Sequence, residues 1–180
     1  MATEIKEGVY WVGVVDWALK KFHGHELSTH RGSTYNSYLV MDEKIVLVDT
    51  VWAPFQDQLV ENISQIIDPS KIDMVVANHA EVDHSGSLPA IMRHTPNATV
   101  IVSPRGRESI EGHYHQAWNF KAVKTGQLTS VRLMIAVNES NIEYIEGTIG
   151  VYLKSRLSGD EGDRESRGTV NLEWRPWRTH

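Results

Sequence analysis

Two periods of hydrophobic and polar positions run along the first two thirds of the chain. Short runs rich in β-branched and aromatic residues predict strands, whereas apolar residues spaced three and four apart predict an amphipathic helix over 53–67. Strands are predicted over 8–17, 37–41, 44–50, 74–77, 99–102 and 118–123, and further helices over 88–94 and 105–115. A hairpin followed by alternating strands and helices predicts an α/β or α+β fold.

The pattern changes after Gly126. Strands over 131–137 and 142–153 are predicted, but their alternation is irregular. From Ser158 the chain is charged and rich in glycine, so it has little apolar surface to offset its ordering entropy. We therefore divide the sequence into a domain over 1–126 and a divergent segment over 127–180, whose end is predicted to be poorly ordered.

Composition excludes several classes of function. The 180 residues predict one domain, and the net charge of −5 predicts neither a nucleic-acid partner nor a membrane-binding patch. With no cysteine, disulfides, thiolate metal sites and a cysteine nucleophile are excluded, so any metal ligands must be histidines and carboxylates. The N-terminus has no apolar signal segment, which predicts a cytoplasmic protein.

Four metal-competent side chains follow the strand predicted over 74–77. They are His79, Glu81, Asp83 and His84. Ligands in α/β proteins collect at the carboxyl ends of strands. In extended geometry His79, Glu81 and Asp83 would share one face and His84 would point the other way, so the loop could offer two ligands to each of two metals. Alternatively, the histidines are ordinary loop residues and the carboxylates cap a helix.

Other polar residues are candidates for the same site. Asp49 ends the strand predicted over 44–50 and is interpreted either as a helix cap or as part of the site. His23, His25 and His30 lie in a polar stretch and are interpreted as solvated loop residues rather than ligands.

The motif His79-x-Glu81-x-Asp83-His84 resembles the first metal motif of the metallo-β-lactamase fold. Glutamate at the second position, where the zinc hydrolases of that fold usually have histidine, resembles the flavodiiron branch. Flanking stretches resemble that branch in the same order: 22–24, 32–50, 72–79 and 85–89. The resemblance covers about residues 5 to 126 and implies the N-terminal half of an αββα sandwich.

The resemblance also implies a site and an activity. His79 and Glu81 would bind one iron and Asp83 the other, ligation by His84 varies within the family, and Asp49 would lie beneath the site. The expected chemistry is reduction of oxygen to water or of nitric oxide to nitrous oxide at a di-iron centre. FMN would supply the electrons, which it would receive from rubredoxin or a similar carrier, and the family forms head-to-tail homodimers.

The sequence departs from the family in its last third. The family completes its site with two further histidines and a bridging aspartate, but no histidine lies between His115 and His180. The phosphate-binding loop of an FMN domain is also absent. We interpret the chain as a truncated flavodiiron-type oxidoreductase module, with residues 127–180 arising from a frameshift or inserted DNA.

Two other functions stay open, and with them whether the chain is an enzyme. One is a zinc-dependent hydrolase, in which Asp83 would orient a metal-bound water. The other is a non-catalytic remnant, whose sheet would have an uncovered apolar face.

Overall fold

The computed structural model describes residues 1–22 and 27–123 and, beyond them, three strands. In chain order the strands are β1 (Thr3–Lys6), β2 (Val9–Trp11), β3 (Val14–Asp16), β4 (Lys21–Phe22), β5 (Leu27–Ser28), β6 (Ser33–Tyr35), β7 (Tyr38–Met41), β8 (Ile45–Val48), β9 (Met74–Val76), β10 (Thr99–Val102), β11 (Phe120–Ala122), β12 (Leu133–Asn138), β13 (Thr148–Lys154) and β14 (Thr169–Asn171). The helices are α1 (Gln56–Ser64), α2 (Val82–Ser85), α3 (Leu88–His94) and α4 (Pro104–Tyr114), with short 3₁₀ turns at Ala53–Phe55 and Pro69–Lys71.

A seven-stranded mixed sheet forms the centre of the described part, in the order β1-β2-β7-β8-β9-β10-β11. The strands β1, β2, β7 and β8 pair antiparallel, and β8, β9, β10 and β11 pair parallel. The predicted hairpin is present as β7 and β8, and the strands predicted after it are β9, β10 and β11. Because β8 and β9 are parallel, their carboxyl ends meet at one edge of the sheet.

The helices differ from the prediction mainly near their ends. The helix predicted over 53–67 consists of a 3₁₀ turn that contains Pro54 and of α1, which ends at Ser64. The helix α3 has the predicted bounds, and α4 begins after Ser103, whose Oγ accepts the Gly106 N–H at 2.9 Å. In the described part of the chain, no helix has the length and apolar character needed to cross a membrane.

Each face of the sheet carries its own apolar cluster, because successive residues of a strand point to opposite sides. Leu47 and its neighbours on one face pack against the helices, through residues such as Leu59, Ile91 and Ile110. Val46 and Val48 belong to the cluster on the other face, whose buried members are 0% to 8% exposed. Among the described residues, the apolar side chains on both faces of the sheet are therefore buried.

Several sequence predictions concern the C-terminal third. The strands predicted over 131–137 and 142–153 correspond to β12 and β13, which pair antiparallel. Apart from β14, which pairs with β13, the stretch from Ser158 that is predicted to be poorly ordered lies outside the described residues. The boundary at Gly126 and the positions of His23 and His25 also lie outside them, whereas His30 is an exposed turn residue.

Asp73 ties the amino ends of β8 and β9 together, and replacing it should weaken the fold at neutral pH. Its carboxylate accepts the Ile45 N–H at 2.9 Å and the Lys44 ammonium at 2.7 Å. The hydrogen bond from Lys44, followed by that from Ile45, lowers the pKa of Asp73 below 3.8. The carboxylate therefore stabilises the fold above the pKa of the unfolded chain and loses this effect as the pH falls through the folded value.

We expect Asp73→Ala to lower the free energy of unfolding by about 1 kcal/mol at pH 7, since the group is partly exposed and screened. Urea unfolding at pH 7 and at pH 3 measures the difference, which should shrink in acid. An equal loss at both pH values would show that the carboxylate charge is not involved.

Candidate metal site

The candidate site lies where β8 and β9 end side by side. Val48 and Val76 are partners in the parallel register, and the Asp49 N–H donates to the Val76 carbonyl at 2.8 Å. Asp49 follows β8 directly, and the loop that carries the four candidate ligands, residues 79–84 (the metal-competent loop), begins three residues after the end of β9. The pairing therefore brings together residues that are far apart in sequence.

The loop does not have the extended geometry that the sequence analysis assumed. Glu81 is extended, but Val82–Ser85 form the short helix α2. The N–H groups of Ser85 and Gly86 donate to the carbonyls of Glu81 and Val82 at 2.7 and 2.9 Å. The prediction that Asp83 shares the face of His79 and Glu81 by strand alternation is therefore wrong, because the backbone turns into a helix at that point.

The four side chains form two pairs. His79 Nε2 lies 3.5 Å from Glu81 Oε1, and Asp83 Oδ2 lies 3.6 Å from His84 Nε2. The two imidazole rings meet edge to face, with centroids 5.2 Å apart. Two donors bound to one tetrahedral metal at about 2.1 Å are separated by about 3.4 Å. Each pair therefore has the spacing of two ligands of a single metal.

Asp49 forms a hydrogen bond with the His84 ring through its Nδ1 atom. Its Oδ2 lies 2.6 Å from His84 Nδ1, and Asp49 is 5% exposed. Asp49 has a φ of +65°, a left-handed conformation that aspartate tolerates better than most residues. A carboxylate on one ring nitrogen fixes the ring and leaves the other nitrogen, Nε2, available as a ligand.

Electrostatics favour a proton between Asp49 and His84 in the metal-free chain. Burial raises the pKa of the Asp49 carboxyl. Burial alone would lower the pKa of His84, but the adjacent Asp49 carboxylate outweighs it and, with Asp83 and Glu81, raises this pKa to about 9. The His84 ring is therefore protonated on both nitrogens at neutral pH in the metal-free chain, and Nε2 must lose its proton before it can bind a metal.

The residues present fit part of a metal centre. In the described part of the chain, three buried side-chain polar atoms have no hydrogen-bond partner: His79 Nδ1, Asn78 Oδ1 and Asp49 Oδ1. Unpaired polar atoms are rare in protein interiors, and such a cluster is typical of a functional site. Within the ranges that the structure describes, however, no three or more histidines and carboxylates are gathered into one metal-binding group. The donors fit two half-sites, each of which needs further ligands.

Three residues that hold the loop, Ser85, Tyr114 and Thr50, are not predicted from the sequence. Ser85 is 2% exposed, and its Oγ lies 2.8 Å from the hydroxyl oxygen of Tyr114 in α4. The Thr50 N–H donates to the His84 carbonyl at 3.1 Å, and the Thr50 hydroxyl donates to the same oxygen. The position of Ser85 next to His84 could have drawn attention to it, but nothing in the local sequence around Tyr114 or Thr50 indicates these contacts.

Comparison with known families defines the class of protein. The sequence model of the metallo-β-lactamase superfamily matches residues 30–180, and the chain belongs to this superfamily. Within it, the similar proteins are of the flavodiiron type. The chain is 51% identical over 130 residues to a nitric oxide reductase of Moorella thermoacetica, an alignment that covers 72% of this chain and 32% of the relative.

Solved structures agree with this assignment. A rubredoxin oxygen:oxidoreductase from Desulfovibrio gigas matches with a TM-score of 0.78 and 35% identity, over 85% of this chain and 38% of the other. A flavodiiron protein from Giardia intestinalis matches with a TM-score of 0.78 and 29% identity, over 86% and 38%. The chain thus spans about a third of the length of its relatives. The predicted fold and the resemblance to the N-terminal part of flavodiiron proteins are confirmed.

Proposed function

We propose that this chain contributes the first half of the metal ligands of a flavodiiron-type oxidoreductase. His79 and Glu81 would bind one iron, and Asp83 would bind the second with His84 beside it. The observation that carries this proposal is the spacing of the two donor pairs, 3.5 and 3.6 Å, at the carboxyl edge of the sheet. Asp49 would orient His84 from beneath the site.

The donor types favour iron over zinc. Three imidazoles and a carboxylate suit zinc, whereas Glu81 in place of an imidazole moves the set toward oxygen donors, which suit iron. Glu81 is also half exposed, at 50% of its side-chain surface, so it can reach a metal or a substrate from the open side of the loop. Zinc remains the alternative metal.

The activity of the complete protein is part of the same proposal. When bound, a di-iron centre supplies the redox chemistry that reduces oxygen to water or nitric oxide to nitrous oxide. FMN would supply the electrons, with rubredoxin or a similar carrier as their source. The relatives are named a nitric oxide reductase and a rubredoxin oxygen:oxidoreductase. These names support nitric oxide and oxygen as substrates and rubredoxin as the electron donor. A head-to-tail homodimer and a cytoplasmic location are proposed on the same resemblance.

Residues 127–179 contain no histidine, and this limits what they can add to a metal centre. No histidine lies between His115 and His180, so the further imidazole ligands of such a centre are not supplied by that stretch. The superfamily match nevertheless continues beyond Gly126 to residue 180. We propose that these 180 residues bind iron through the loop but do not by themselves close a di-iron centre.

Metal analysis of the anaerobically purified chain tests the proposal. We expect iron in preference to zinc, at no more than about one per chain, because each half-site offers only two ligands. His79→Ala should lower the iron content, because it removes one of the two donors of the half-site that it forms with Glu81. His94→Ala is the matched control, because His94 is an exposed histidine in the last turn of α3.

The other outcomes separate the alternatives. Tight zinc binding with hydrolysis of an ester or amide substrate would support the zinc-dependent hydrolase and overturn the iron assignment. If the wild type binds no metal, or if His79→Ala binds as much metal as the wild type, the chain is better explained as a non-catalytic remnant. Two irons per chain with consumption of oxygen or nitric oxide would show that the centre is complete within these residues.

A further inference from the structure

Tyr114 is distant from the metal-competent loop in sequence but contacts it in the structure. It is the last residue of α4, and its hydroxyl oxygen lies 2.8 Å from Ser85 Oγ. Ser85 is the last residue of α2, the helix that carries Asp83 and His84. A partly buried hydrogen bond therefore joins α4 to the loop.

The other contacts of Ser85 fix the direction of this hydrogen bond. Ser85 Oγ lies 2.8 Å from the Ala80 carbonyl oxygen and 3.0 Å from the Glu81 carbonyl oxygen. Carbonyl oxygens only accept, and a serine hydroxyl has a single proton, so Ser85 donates to these carbonyls. The lone pairs of Ser85 Oγ remain free to accept. Tyr114 is therefore the donor in its contact with Ser85.

Tyr114 is itself held in place by its surroundings. Its ring packs against the apolar cluster between the sheet and the helices, the one that contains Leu47. The centroid of the ring lies 6.0 Å from that of the Trp118 ring. The His113 ring meets it edge to face at 4.6 Å. A side chain packed on several sides has few alternative rotamers, so its hydroxyl is a fixed point for the loop.

We propose that Tyr114 is a positioning residue for the donor pair of His79 and Glu81 and acts through Ser85. Ser85 donates to the carbonyls of Ala80 and Glu81. Ala80 lies between the two donor residues, and Glu81 is one of them. Without the Tyr114 donor, the Ser85 hydroxyl can rotate away from these carbonyls, and the backbone between His79 and Glu81 loses its restraint. The role in metal binding rests on the proposed function, but the restraint on the loop does not.

Tyr114→Phe tests this role because it removes only the hydroxyl. We expect the affinity for Fe²⁺ to fall by about tenfold, the lower end of the effect of losing a group that supports metal ligands. With Co²⁺ as a spectroscopic probe, the visible absorption bands should shift, since the geometry of the donor pair changes. Tyr38→Phe is the control, because Tyr38 is a partly buried tyrosine on the other face of the sheet.

A double-mutant cycle shows whether the effect passes through Ser85. Ser85→Ala should cause a similar loss, and the double variant should lose no more than either single variant, because both break the same connection. Additive losses would mean that Tyr114 acts independently of Ser85, and unchanged Co²⁺ bands in Tyr114→Phe would mean that it does not position the donors. Either result overturns the proposal.

Hydrogen exchange of the metal-free chain provides a readout that does not depend on metal. Tyr114→Phe and Ser85→Ala should both speed exchange of the Ser85 and Gly86 amides, while amides of α1 keep their wild-type rates. If the wild type binds no metal but exchange changes as expected, the proposed function fails and the restraint stands. If exchange in the loop is unchanged, the restraint is absent and the inference fails whatever metal is bound.

Discussion

Gly86→Ala should lower the free energy of unfolding by about 2 to 3 kcal/mol, the cost of forcing an extra group into a packed site. A Cβ at this position would overlap the Val82 carbonyl oxygen and lie 2.7 Å from the backbone nitrogen of Ala53. Gly86 has a φ of −58° and a ψ of −33°, which any residue adopts. Glycine is therefore required by the close approach of two backbone segments and not by its conformation.

The same substitution should weaken metal binding, because Gly86 follows directly the helix α2 that carries Asp83 and His84. Gly112→Ala is the matched control. Gly112 lies in α4 with no atom within 4 Å of an added Cβ, so alanine there should stabilise the protein by about 0.5 to 1 kcal/mol through helix propensity. Urea unfolding of both variants measures the contrast, and similar changes of the same sign would contradict the expected clash.

Asp49→Asn should lower the free energy of unfolding by about 2 kcal/mol at pH 6 and move the pKa of His84. Asparagine has nearly the same shape and tolerates the φ of +65°, so the main change is the lost charge. Without the carboxylate, the pKa of His84 should fall from about 9 toward its ordinary value of 6.5. NMR titration of the metal-free chain follows the ring directly.

The pH dependence gives this expectation a definite sign. A histidine whose pKa is raised by folding stabilises the folded state fully below 6.5 and loses this effect as the pH rises through about 9. The advantage of the wild type over Asp49→Asn should therefore be largest at pH 6 and disappear by pH 10. Asp57→Asn, which removes the same charge from an exposed position in α1, should show no such dependence. An advantage that persists at pH 10 would rule out the ion pair as its source.

Much of the fold follows from local sequence patterns. Short runs of apolar and β-branched residues identified β7 and β8, and the spacing of apolar residues identified the region of α1. The irregular elements were not predicted: α2 has only four residues and depends on hydrogen bonds within the loop. The 3₁₀ turn before α1 and the early end at Ser64 also depend on backbone detail that hydrophobic periodicity does not contain.

The sequence indicated which side chains lie near one another at the carboxyl ends of β8 and β9, but not their geometry. The dense spacing of histidines and carboxylates from His79 to His84 identified the loop, and the position of Asp49 at a strand end suggested its role. The pairing of Asp83 with His84 and the helical turn between them required the structure. The assignment of individual residues to metals remains a prediction, and so does the boundary at Gly126.

The contact between Asp49 and His84 has a consequence for folding kinetics. It joins residues 35 positions apart and can form only after the crossover from β8 through α1 to β9 has docked. Closing such a parallel unit is slow compared with forming a local turn, so the second donor pair is assembled late. A metal added during refolding should thus be captured only once this crossover is in place, and the rate of capture would report the docking of β8 against β9.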